Sequence, residues 1–366
     1  MTGSPESEVG SITRLLFCVL LLVAAVSLSV TCSPRESAVR GAAELAPSVA
    51  VLGQPVWTDP IDLGAIELLG FGLPPRRESA PLRALRVSKD TGCGKALPQG
   101  VQSGKTVLRT LNSGGLKRTY RLHLPSRAST VRPMPVLLNF HGRTSSGADQ
   151  ELYSGLVPIS DRETFVLVSP DGTGTPSGWS AGATSGNGVD DVRFVNDLLD
   201  TLERELCVDS ARVYAAGFSN GAFMTSKLAC AIPERITAIA GVGGIDYAAE
   251  GCPARVPVLA VHGTNDGVVP MSGGTVRAWR YPGVKAAMVE WSATNGCLPS
   301  FTTTELRPGV TLQHYDNCGA TTQVVVLAQA GHVWPGSPGT NAADPAGSIS
   351  GAELIWAFFA TAKRTQ

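Results

Sequence analysis

The sequence predicts an α/β protein with an open, mostly parallel sheet flanked by helices, and three observations predict it. Short runs rich in Val, Ile and Leu recur at 120–124, 135–140, 165–169, 212–217, 236–242, 256–261 and 323–328. Several are almost continuously apolar, as strands buried on both faces must be. Helical patterns lie between them. Val192, Val195, Leu198, Leu199, Leu202 and Leu206 form one apolar stripe, with Asp190 or Asp191 as its cap. Residues 219–231 and 352–363 read as two further helices. Strands alternating with helices are the mark of a sheet built from crossover units. The composition agrees, with 43% hydrophobic and only 16% charged residues, which is globular rather than disordered.

At 366 residues the chain has room for one large domain with appendages. Thirty basic residues balance thirty acidic ones, so no net field draws in nucleic acid or an acidic membrane. Residues 15–30 form an uncharged run after Arg14, broken by Ser27 and Ser29. A membrane span needs about 20 apolar residues, whereas this length suits the core of a signal peptide. Residues 1–32 are therefore read as a signal peptide or, if retained, a signal anchor; only the anchor would bring a membrane into play. Residues 33–90, broken by Pro34, Pro47, Pro55, Pro60, Pro74, Pro75 and Pro81, read as a linker or processed segment. The folded domain is expected over 91–366.

Outside the targeting region stand six cysteines: Cys93, Cys207, Cys230, Cys252, Cys297 and Cys318. None has zinc-ligand spacing, and no metal is expected. An even set in an exported chain reads as disulfides, with 15 connectivities open. No G-x-G-x-x-G opens a helix after the first strand, which disfavours a dinucleotide cofactor. No cofactor of any kind is expected.

The chemistry concentrates at Gly217-Phe218-Ser219-Asn220-Gly221, directly after one strand and before a helix. A G-x-S-x-G in that context makes a sharp turn that lifts the serine hydroxyl above the sheet. A serine needs a base to become nucleophilic, and here serine, acid and base follow in that order. Of His262, His314 and His332 downstream, His332 lies in the loop between the last strand and the last helix, where the base belongs. His262 ends a strand and reads as structural; His314 lies in a polar stretch far from any strand end. Asp266 follows the 256–261 strand and is the expected acid, ahead of Asp246 and Asp316. Its role is to fix the histidine tautomer and stabilise the imidazolium. Two backbone N–H groups should form the oxyanion hole. One is that of Asn220, and the other belongs to Arg143 or Thr144 in the loop His141-Gly142-Arg143-Thr144-Ser145-Ser146. His141 precedes the serine and reads as structural.

Six ordered motifs then carry a family resemblance. They are Gly92-Cys93-Gly94-Lys95, the 141–146 loop, Val189-Asp190-Asp191-Val192, the 217–221 elbow, Asn295-Gly296-Cys297 and His332-Val333-Trp334-Pro335-Gly336. From Cys93 onward the chain resembles secreted feruloyl esterases and the related polyhydroxybutyrate depolymerase-like esterases. The resemblance implies an α/β-hydrolase fold, an extracellular location and a Ser-His-Asp carboxylesterase acting on esters of a polymer, foremost feruloylated plant polysaccharide. It also implies a Cys297–Cys318 disulfide. The alternatives are a polyhydroxyalkanoate depolymerase, an acetyl xylan esterase or, more distantly, an acyltransferase with the same triad. The segment Thr184-Ser185-Gly186-Asn187 departs from relatives that carry adjacent cysteines there. Trp334 and Trp179 are expected either to form an aromatic wall for a phenolic acyl group or to be packed without touching substrate.

Overall fold

The computed structural model describes residues 91–362, except 183–187, 249, 277 and 278. The readings of 1–32 and 33–90, and the 184–187 departure, lie outside the described residues. The strands are β1 (Lys105–Ser113), β2 (Leu116–Leu124), β3 (Met134–Phe140), β4 (Val166–Pro170), β5 (Val208–Phe218), β6 (Ala238–Val242), β7 (Val258–Gly263), β8 (Gly273–Val276), β9 (Trp279–Pro282), β10 (Phe301–Arg307), β11 (Val310–Tyr315) and β12 (Thr322–Leu327). The helices are α1 (Gly147–Ser154), α2 (Leu156–Glu163), α3 (Asp191–Glu205), α4 (Asn220–Ala231), α5 (Val284–Thr294) and α6 (Gly351–Ala360).

Ten strands form one sheet in the order β1-β2-β4-β3-β5-β6-β7-β12-β11-β10, and β8 pairs with β9 in a separate hairpin. The six central strands, β4 to β12 in that order, are parallel, while both edges are antiparallel. Burial explains the difference. Every residue of β3, β4, β6 and β7 is buried, because helices cover both faces of a parallel sheet. Alternate residues of β3 feed two separate cores. Val136, Leu138 and Phe140 face the core with Phe194 of α3 and Met224 of α4. Leu137 faces the other, with Leu156 of α2 and Phe359 of α6. Edge strand β10 is exposed along its whole length.

Polar side chains from the family motifs hold this frame. Asn295 is fully buried; its Oδ1 accepts from Val256 N at 3.0 Å, and its Nδ2 donates to Val256 O and Thr322 Oγ1, both at 2.8 Å. One amide thus ties together the starts of β7 and β12. Asp190 caps α3 by accepting from Arg193 N at 2.9 Å. Asp191 does something else. Its buried carboxylate pairs with Arg118 at 2.8 Å and accepts from Ser180 N at 2.8 Å, so it anchors a loop to the sheet rather than capping a helix. Disulfides join Cys93 to Cys207, Cys230 to Cys252 and Cys297 to Cys318.

Candidate active site

Parallel strands deliver their C-terminal ends to one rim, and Ser219, Asp266 and His332 follow the ends of β5, β7 and β12 there. Strand β5 ends at Phe218, and α4 begins at Asn220. Between them Ser219 adopts φ 55° and ψ −118°, a conformation that costs a residue with a Cβ on the order of 1–3 kcal/mol. The flanking glycines make the turn possible. A Cβ on Gly217 would lie 2.3 Å from Gly221 O, and one on Gly221 would lie 2.2 Å from Phe140 O. Larger residues would drive the elbow apart.

The base is expected in the loop after β12, where His332 stands. Its Nδ1 donates to Asp266 Oδ2 at 2.7 Å, which leaves Nε2 as the ring's acceptor. The ring lies 4.6 Å from that of Phe218, the neighbour of Ser219. Gly243 completes the seat, since a Cβ there would come within 2.9 Å of His332 Cε1. Asp266 is buried on the loop after β7, and its Oδ1 accepts from Val268 N at 2.9 Å and Val269 N at 2.7 Å. These bonds hold the carboxylate still and leave Oδ2 for the histidine.

The other histidines are committed elsewhere. His262 is buried; its Nε2 donates to Val269 O at 2.7 Å and lies 3.4 Å from Asp266 Oδ2. Burial holds its pKa below the ordinary range, so it stays neutral beside the acid. His141 is also held low by burial; it donates from Nδ1 to Gly142 O at 2.6 Å and accepts at Nε2 from Gly172 N at 2.8 Å. His314 departs from expectation. It lies near the end of β11, exposed, with its Nδ1 accepting from Gln323 at 2.8 Å. The competing acids also lie apart: Asp316 accepts from Ser300 and Thr302, and Asp246 lies at the far flank of α4.

Of the two oxyanion donors left open on the early loop, Thr144 is excluded because its N–H donates to Ser177 O at 2.9 Å. Arg143 has no such backbone partner among the described residues. Gly142 brings this loop against the serine, with an ideal Cβ 3.3 Å from Ser219 Cβ. The N–H of Asn220 opens α4, where the helix dipole favours negative charge.

The tryptophans are a correction. Trp179 and Trp334 are 1% and 0% exposed, so neither offers a face to substrate. Trp179 packs edge-on against Phe140 and donates from Nε1 to His141 O at 2.9 Å. Trp334 is packed in the core, and the base loop is held there by its backbone N–H, which donates to Tyr153 Oη at 3.1 Å. The side chain of Asn220, unremarked in the sequence, clamps the Trp179 backbone by accepting its N–H at 2.6 Å and donating to its carbonyl at 3.1 Å. Phe218 in the elbow and Tyr153 beside it, their rings 5.3 Å apart, are partly exposed, and so is Trp279 of β9, whose ring lies 4.8 Å from Phe223 on α4. Spacing offered no signal for it, because only the fold brings the β8–β9 hairpin onto α4.

Among the described residues no group of three or more His, Cys, Asp or Glu could hold a metal ion, and no helix is long and apolar enough to cross a membrane.

Sheet order, strained elbow and rim define an α/β-hydrolase. The phospholipase/carboxylesterase family matches residues 187–302. Feruloyl esterase D of Neurospora crassa is 30% identical over 271 residues, spanning 69% of this chain and 85% of that protein. A probable feruloyl esterase C of Aspergillus clavatus is 29% identical, spanning 54% and 69%. An acetyl xylan esterase from Aspergillus awamori shares the fold at a TM-score of 0.53 and 15% identity, over 69% of this chain and 98% of that one. The chain belongs to the feruloyl esterase-like serine carboxylesterases of the α/β-hydrolase fold.

Proposed function

We propose that Ser219, His332 and Asp266 form the catalytic triad of a feruloyl esterase that releases phenolic acids from plant cell-wall polysaccharide. The observation that carries the triad is the 2.7 Å bond from His332 to Asp266, on the rim where Ser219 holds its φ of 55°. His332 takes the Ser219 proton at Nε2 as the serine oxygen attacks the ester carbonyl. Negative charge on the former carbonyl oxygen meets the N–H groups of Asn220 and Arg143. Collapse breaks the bond to the alcohol oxygen, which leaves with the proton from His332. Water then attacks the acyl-enzyme by the same route, giving the free acid and restoring the serine.

The acyl specificity is supported by the relatives' names and not by the two buried tryptophans. A bifunctional acetylxylan esterase/xylanase of Neocallimastix patriciarum, 30% identical over 45% of this chain and 24% of its own length, favours acetylated xylan as the second reading. The three disulfides support an extracellular enzyme, since such bonds persist in oxidising compartments. The test is a panel of methyl ferulate, acetylated xylan and a short hydroxybutyrate oligomer. Methyl ferulate should have the highest kcat/KM; preference for acetylated xylan selects the second reading, and preference for hydroxybutyrate overturns both.

A further inference from the structure

A cavity of about 2020 Å³ runs along the flank of α4, and the proposed triad does not line it. Its floor includes Ser226, Lys227, Cys230 and Ala231, positions that share one face of the helix. One wall is the 180–182 segment, directly after the Trp179 backbone that Asn220 clamps. Residues of β8 and β9, Trp279 and Tyr281 among them, line it as well. Gly182 packs against part of the Trp279 indole, where a Cβ would come within 2.5 Å of the ring, and Trp279 stays partly exposed. The indole also meets Phe223, whose N–H donates to Ser219 O at 3.2 Å. Burial raises the Tyr281 hydroxyl pKa, with a smaller contribution from the Asp266 charge. The cavity therefore lies along the same helix that carries the elbow, with the 180–182 segment between them in contact with Asn220 through Trp179.

Size and lining decide what it holds. Small-molecule pockets enclose roughly 300–1,000 Å³, so a single phenolic acyl group leaves most of this space unfilled. Asp246, Glu250 and Glu290 contribute carboxylates to the lining. A carboxylate is the strongest acceptor a protein offers to a hydroxyl donor, and an indole offers a broad flat face for the C–H side of a sugar ring. Two cations share the lining, Lys227, whose amino group is bound to the Ser180 carbonyl, and exposed Arg280, so the three carboxylates leave it one net negative charge. A chain of uronates would meet the three carboxylates with its own negative charge.

We propose that this cavity is a carbohydrate subsite for a neutral sugar chain, the alcohol side of the ester, with Trp279 as its stacking platform. It rests on the reading of the enzyme as an esterase of polysaccharide. Contacts so far from the reacting carbonyl act on ground and transition states alike, so their loss raises KM and spares kcat.

The test separates binding from hydrolysis. Calorimetric titration with an unesterified arabinoxylan oligosaccharide should detect binding to the wild type, and Trp279→Ala should weaken it roughly tenfold. An oligogalacturonide should bind more weakly than the neutral chain. On a feruloylated oligosaccharide, Trp279→Ala should raise KM by roughly the same factor, while methyl ferulate kinetics stay within about twofold. Exposed Glu290→Ala tests the subsite without touching the aromatic cluster and should weaken oligosaccharide binding roughly threefold. The proposal is overturned if the wild type binds no oligosaccharide, if both variants bind it as well as the wild type, or if Trp279→Ala loses equally on both esters. Oligosaccharide binding in an enzyme that ignores feruloyl esters would support the subsite and overturn only the acyl assignment.

Discussion

Helix α4 serves two neighbouring regions that are built in opposite ways. At its N-terminus the polar side chains are held by specific bonds: Asp266 accepts from two backbone N–H groups and His332, and Asn220 clamps Trp179 through both ends of its amide. Along its flank, the cavity rim presents half-exposed Trp279 and exposed Glu250 and Glu290. The first arrangement suits chemistry, which needs groups fixed in advance of the transition state. The second suits recognition of a long ligand, where exposed faces matter more than rigid bonds. Two tryptophans mark the contrast. Trp334 is fully buried, whereas Trp279 is partly exposed.

The sharpest way to break this division is at Ser219. Ser219→Ala should leave a folded protein with kcat reduced on the order of 10⁶-fold, and His332→Ala should match it, the double variant being little worse. Asp266→Asn should cost on the order of 10⁴, because the amide no longer selects the tautomer with Nδ1 protonated. A Ser219→Ala enzyme retaining more than about a tenth of its activity would place the chemistry elsewhere. Trp334→Ala should then lose activity on methyl ferulate and p-nitrophenyl acetate by the same factor, and stability by about 3–5 kcal/mol. A loss confined to methyl ferulate would return Trp334 to the substrate wall and erase its contrast with Trp279.

The contrast also explains what was legible in the sequence. Strands β3 to β7 and β12 were visible because burial on both faces demands unbroken apolar runs. Strand β10, Phe301–Arg307, was not, because every residue is exposed and nothing forces a pattern on it. Helix α5 went unread although Val284, Ala287, Met288 and Trp291 carry a buried stripe at helical spacing. The meeting of His332 with Asp266 was legible because chain order and strand ends dictate it. Which tryptophan faces substrate was not, since a loop residue's side depends on distant packing: Trp179 and Trp334 were turned into the core, and Trp279 was brought to α4 by a hairpin without periodicity.

The disulfides rank next. Cys93 and Cys207 close a separation of 114 residues and Cys297 and Cys318 one of 21, worth about 5 and 3 kcal/mol in the chain-entropy model. Replacing each pair with serine and measuring urea unfolding should preserve that order. The reverse order would mean that native packing around the shorter loop outweighs chain entropy.

The smallest expected effect lies on the cavity side. Burial, with a contribution from the charge of Glu250, pushes the Asp246 carboxyl up from 3.8 to about 6. Between those values the native state holds a proton that the unfolded chain has lost, so stability falls as pH rises through that window and stays lower above it. Below it both states are protonated and the residue contributes nothing to the pH dependence. Asp246→Asn keeps an oxygen to accept the Tyr247 N–H, now bonded at 2.9 Å, and carries no charge at any pH. The variant should therefore match the wild type near pH 3.5 and exceed it near pH 7.5 by about 1–3 kcal/mol, the lower figure reflecting partial solvent screening. Urea midpoints at the two pH values measure the difference. An equal gain at both would assign it to packing, and no gain at pH 7.5 would mean that water reaches this carboxylate along the cavity and removes the cost of its charge.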